Sequence, residues 1–172
     1  NNINPLYGFF VARAGLGASE SMRSKLAEYN DPRLSRAFIT KQGTSGKEQA
    51  PGTADNAVYA PNGTPEQGTS KYGTSLFMYS ISAPTLLLSY HELKFLEAEA
   101  LCRLERDAKS ALKDAVVAGL LNAENSFTIS RKELGKTLIN AASSITEAEA
   151  ESYFDNTIEA KYTAEPLKTT MT

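Results

Sequence analysis

A chain of 172 residues is long enough to bury a real core in one domain. Its 41% hydrophobic and 22% charged residues are ordinary for a soluble protein, and a formal charge of −2 gives no electrostatic case for nucleic acid. No stretch approaches the ~20 consecutive apolar residues of a membrane-spanning helix, and no polybasic run suits an anionic membrane surface.

The chain begins "NNINPLYGFF", which lacks the charged start and small-residue cleavage site of a signal peptide. It also lacks an initiator Met, so a processed form or an excised fragment is expected. The segment from Pro5 to Ile39 contains "SESMRSKLAEYNDPRLSRAFI". Met22, Leu26 and Tyr29 fall at helical spacing, and Ser19 stands where a helix cap would. Asn30, Asp31 and Pro32 then stop the helix, because a proline disfavours α conformation in the residue before it.

From Gly43 to Ser75 periodicity vanishes, and six of the chain's 11 glycines lie there. Loops of that length are uncommon in compact domains and usually either functional or disordered. Asn62-Gly63 is a turn signal that suggests a small hairpin. The run "SLFMYSISA" (Ser75 to Ala83) is the one credible strand.

A helical hairpin follows. Ser89 and Glu92 have the spacing of a capping box. Leu93, Leu96, Ala100 and Leu104 form an apolar stripe. Asp107 caps a second helix whose matching face is Ala108, Ala111, Leu112, Ala115 and Gly119, with small residues allowing close helix approach. Two more capping boxes, Ser130 with Glu133 and Thr146 with Glu149, are expected to start later helices. The single Cys102 excludes an internal disulfide and a multi-cysteine zinc site, and is read as a buried thiol.

A helical pair of roughly 34 residues with small residues at its contact is the tetratricopeptide type, of which about three copies are needed for stability. No second copy is present in this sequence. "NDPRL" (Asn30 to Leu34), a Gly-rich loop and "APTLLLSYHELKFLEAEAL" (Ala83 to Leu101) together resemble the SusD/RagB family of outer-membrane nutrient-binding lipoproteins of Bacteroidetes. Glu92, Ala98, Glu99 and Ala100 match that family's last tetratricopeptide-like helix, and "AEAESYFDNTIEA" resembles a later one. Family members are about three times longer, so the resemblance implies an internal or C-terminal-half fragment.

The resemblance implies capture of oligosaccharides, sometimes peptides, without catalysis or cofactor, and delivery to a SusC-like TonB-dependent transporter. It also implies a surface-exposed, lipid-anchored location in the outer membrane for the full-length protein. Sugar binding needs aromatic faces with polar groups beside them. The loop offers Tyr59 and Tyr72, with Asp55, Asn56, Asn62 and Gln67 as polar partners.

Catalysis has little support. Glu92, Glu97 and Glu99 share one helix, but Glu92 and Glu99 lie two turns apart, about 10 Å along the axis, and Glu92 is accounted for by its cap. The only histidine, His91, has no Ser or Cys partner in view. "GTADNAVYAPNG" lacks the acid spacing of a calcium loop, so no metal is expected. The reading is therefore a mainly α fold with a tetratricopeptide-like hairpin, additional helices, a long irregular loop and little β structure. It is laid out as one partial domain with sections 1–42, 43–83, 84–121 and 122–172. A tetratricopeptide-like protein-interaction module, binding a peptide beside Leu93 and Leu112, is the alternative.

Overall fold

The computed structural model describes residues 4, 5, 7, 8, 18–42, 47–49, 59–63, 74–76, 81–83, 86–134 and 143–171. The chain forms two compact units interleaved along the sequence: residues 1–85 with 124–144, and residues 86–123 with 145–172.

In the first unit, helix α1 (Glu20–Glu28) starts after Ser19, as its spacing suggests. The capping bond itself is absent: the Ser19 hydroxyl donates instead to Asn62 Oδ1 at 3.3 Å. Leu26 is buried while Met22 is exposed, so only part of the apolar spacing faces the core. At the other end Asn30 takes a φ of +49°, a left-handed conformation that Asn tolerates better than most residues. The Asp31 backbone N–H then bonds the Leu26 carbonyl at 2.8 Å, satisfying an orphan acceptor of the helix end.

"NDPRL" is a turn locked by its own side chains. The buried Asp31 carboxylate accepts the Arg33 backbone N–H at 2.8 Å and is gripped by the Arg33 guanidinium, Nη2 to Oδ2 at 2.6 Å. Arg36 is buried as well, donating from Nη1 to the Pro32 carbonyl at 2.7 Å and from Nε to the Ser143 carbonyl at 2.6 Å. Buried charges need such partners, because desolvation is otherwise uncompensated.

Three short strands follow, β1 (Phe38–Gln42), β2 (Lys47–Gln49) and β3 (Thr74–Ser75), ordered β2-β1-β3 and antiparallel throughout. Thr40 stands opposite Gln49, and Phe38 opposite Ser75. Of the strand expected over Ser75 to Ala83, β3 holds Ser75 and stops there, Ile81 and Ser82 form a turn, and residues 77–80 lie outside the described residues. The Ile81 N–H donates to Glu133 Oε2 at 2.7 Å rather than to a strand partner.

The second unit is helical. Helix α2 (Tyr90–Arg103) carries both halves of its capping box. Ser89 Oγ accepts the Glu92 N–H at 3.3 Å, and Glu92 Oε2 accepts the Ser89 N–H at 2.7 Å. Helix α3 (Lys109–Leu134) belongs to this unit up to Ala123 and to the first unit beyond it. After it come α4 (Glu147–Tyr153), a π-helical turn (Phe154–Ile158), α5 (Glu159–Ala164) and α6 (Pro166–Met171), which packs on α2.

Ala98, Ala108, Ala111, Leu112 and Ala115 are buried, as the small-residue pattern suggests. Leu120, Ile145 and Ala150 form a further cluster, joined by Val116, Val117 and Tyr153.

Three sequence expectations change here. Ser130 and Glu133 start no helix; α3 runs through them, because Ser130 is fully buried and donates to the Leu76 carbonyl, while Glu133 accepts from Ile81 and Ser82. The stripe of Leu93, Leu96, Ala100 and Leu104 is exposed, since α2 turns the opposite side, with Ala98, inward. Cys102 is half-buried rather than buried. The fold is mainly α with little β structure.

Candidate functional site

Of the six loop residues proposed from sequence, Tyr59 and Asn62 are described; Tyr72, Asp55, Asn56 and Gln67 lie outside the described residues. Tyr59 to Gly63 form a clip on the start of α1. Ala60 pairs in a parallel bridge with Ser19, its N–H donating to the Ala18 carbonyl at 2.8 Å, while its own carbonyl accepts the Glu20 N–H at 3.0 Å. Asn62 tightens the clip, donating to Ser21 Oγ at 2.5 Å and accepting from Ser19. Gly63 completes the turn at φ +75°, a value that favours glycine. The Asn62-Gly63 turn is thus present and Ala60 bridges Ser19, while the second arm of the expected hairpin, from Thr64 on, lies outside the described residues.

The same clip fixes Tyr59. Its ring meets Phe38 edge to face, with centroids 5.5 Å apart and planes at 88°, and the Arg23 guanidinium of α1 stands 5.9 Å from the ring centre. Its hydroxyl is buried with no hydrogen-bond partner among the described residues. Burial raises the phenol pKa, and the nearby Arg23 charge opposes that rise. Sequence reading had no signal for Arg23, Phe38 or Ser21, because each reaches Tyr59 or Asn62 only through tertiary contact.

In the second unit the candidate acid residues are engaged elsewhere. Glu97 pairs with Lys94 at 2.9 Å and Glu99 with Arg103 at 2.6 Å. The Glu92 carboxyl is held below its ordinary pKa by the Ser89 hydroxyl and then the Ser89 N–H. His91 Nε2 lies 3.2 Å from Ser89 Oγ, and its ring packs over Gly119, where an added Cβ would make an ordinary 3.8 Å contact. Among the described residues there is no His/Cys/Asp/Glu cluster able to hold a metal and no helix long and apolar enough to cross a membrane.

The family whose model matches residues 1–163 is SusD-like and is described as "Starch-binding associating with outer membrane". The backbone superimposes with a TM-score of 0.92 on the crystal structure of a SusD/RagB family protein from Bacteroides thetaiotaomicron VPI-5482, at 58% identity. The chain belongs to the SusD/RagB family. No curated protein matches it. The match takes in 99% of this SusD/RagB chain and 36% of the solved relative, so the chain spans little more than a third of that protein's length.

Proposed function

We propose that this SusD/RagB chain is part of a non-enzymatic glycan-binding protein at the bacterial cell surface, one that captures oligosaccharides and passes them to a TonB-dependent transporter. The family match over residues 1–163, with its starch-binding description, carries the reading. The geometry adds that Ala60 and Asn62 are held against the start of α1. In this reading Tyr59 and Tyr72 supply the stacking faces, with Asp55, Asn56, Asn62 and Gln67 as hydroxyl partners. Lipid anchoring and surface exposure belong to the same proposal.

Thermal-shift titration with maltooligosaccharides and a broader glycan panel tests it, since a ligand that binds the folded state raises Tm by mass action. A rise for at least one α-glucan, lost in Tyr72→Ala but kept in Glu151→Ala, is the expected outcome. A flat panel in a cooperatively melting protein removes glycan capture from this part of the molecule.

A further inference from the structure

We infer that Asn62 is a site of spontaneous deamidation whose rate is set by two serine hydroxyls at the start of α1, those of Ser19 and Ser21. Asn62 and Gly63 are both exposed, and a Cβ built on Gly63 would meet no described atom within 4 Å. Glycine after asparagine favours this reaction, because no side chain shields the backbone nitrogen that must attack. In the step, the Gly63 nitrogen bonds to Asn62 Cγ and the Cγ–Nδ2 bond breaks. The proton of that nitrogen leaves with Nδ2 as ammonia, and a cyclic imide remains. Solvent water then opens the ring at either carbonyl, giving an aspartyl or an isoaspartyl product.

The clip opposes that step. Nδ2, the leaving group, donates to Ser21 Oγ at 2.5 Å, and Oδ1 accepts from Ser19 Oγ at 3.3 Å. The backbone just before is pinned too, since Ala60 bridges Ser19 and its carbonyl accepts the Glu20 N–H at 3.0 Å. The side-chain amide must give up both hydroxyls before Cγ swings onto the Gly63 nitrogen, so the reaction waits on local opening. Each hydroxyl makes an ordinary hydrogen bond, and losing one should favour opening about fivefold. The aspartyl product keeps both contacts, because a hydroxyl that accepts from an amide can turn and donate to a carboxylate. It also places a negative charge beside the first turn of α1, where the helix dipole favours one. This inference does not rest on glycan binding.

Incubation of the folded 172-residue chain at mildly alkaline pH, followed by trypsin digestion and mass spectrometry, tests it. The peptide from Glu48 to Lys71 carries Asn62, and its fragment ions separate that position from Asn56. The expected rate at Asn62 is about tenfold or more below that of the chain unfolded in guanidinium. Ser21→Ala should raise the folded rate about fivefold, while Ser21→Thr, which keeps the hydroxyl, should leave it at the wild-type value. Ser24→Ala, exposed on the same helix, is the control and should change nothing. No conversion in the unfolded chain overturns the site, and equal folded and unfolded rates overturn its control by the clip. A rise in Ser24→Ala matching that in Ser21→Ala overturns it as well, because general loosening of α1 would then be the cause. So does a slower reaction in Ser19→Ala, which would show that this hydroxyl polarises the amide carbonyl rather than holding it.

Discussion

The Tyr162 hydroxyl donates to Asp107 Oδ1 at 3.0 Å while accepting the backbone N–H of Ala108 at 2.8 Å. One buried side chain from α5 thereby completes the start of α3, where Asp107 Oδ1 also accepts the Lys109 N–H at 3.0 Å. The first N–H groups of a helix have no intrahelical acceptor, so this tertiary bond to Ala108 adds to the local one that Asp107 makes with Lys109.

Tyr162→Phe leaves the Ala108 N–H buried and unpaired while keeping the ring. Its expected cost is about 1–3 kcal/mol, the range for stranding a buried donor. Urea denaturation checks it; a midpoint equal to wild type would mean that water or a rearranged side chain serves Ala108 as well.

Two helix-start carboxylates give the stability a defined acid limb. Asp107 is held below its ordinary pKa by the Lys109 N–H and then the Tyr162 hydroxyl, and Glu92 by Ser89. A depressed folded pKa means stability that is fully present above the unfolded values, about 3.9 for Asp and 4.3 for Glu, and lost as pH falls through the folded ones. Ser89→Ala is expected to lower stability by about 1 kcal/mol near neutrality. The Tm gap between wild type and variant should stay constant above about pH 4.5 and narrow below it. A gap that persists unchanged to about pH 3 would show that the Glu92 charge is not part of the cap.

The two sides of the helical hairpin should respond in opposite ways. Ala115 is fully buried, and Ala115→Leu overpacks the space around it at a cost of about 1–3 kcal/mol. Leu96→Ala, on the exposed row, should change the stability of this chain by about 0.5 kcal/mol or less. Comparable losses in the two variants, read from denaturant midpoints, would contradict the orientation of α2.

Tyr59→Phe removes a buried hydroxyl that has no partner among the described residues. Deleting such a group is expected to leave Tm unchanged or slightly higher, because an unpaired polar atom costs about 1–3 kcal/mol to bury. Differential scanning calorimetry decides the matter: a clear fall in Tm would reveal a bond that the hydroxyl makes.

Much of the second unit was legible in the sequence because its signals are local. Ser89 and Glu92 lie three residues apart, a spacing that lets each satisfy the other's backbone N–H; the alanines of α2 and α3 likewise announce a close helix contact. The "NDPRL" stop of α1 belongs with them, since Asp31 and Arg33 satisfy each other two residues apart. The family too was readable from short segments of this kind.

Where local pattern and tertiary partner compete, only the fold decides. Ser130 and Glu133 have the same three-residue spacing as Ser89 and Glu92, yet their groups are taken by Leu76, Ile81 and Ser82, some fifty residues away, and the helix continues through them. Leu93, Leu96 and Leu104 have the periodicity of a core stripe and stand in solvent, because periodicity groups residues on one face without saying which neighbour meets it. The clip that seats Tyr59 and Asn62 on α1 joins residues about forty positions apart. Sequence by itself determined the helix start at Ser89 and which side chains share a face. Tertiary structure decided which face is buried, because burial depends on which distant segments have apolar surface and unsatisfied polar groups to offer it.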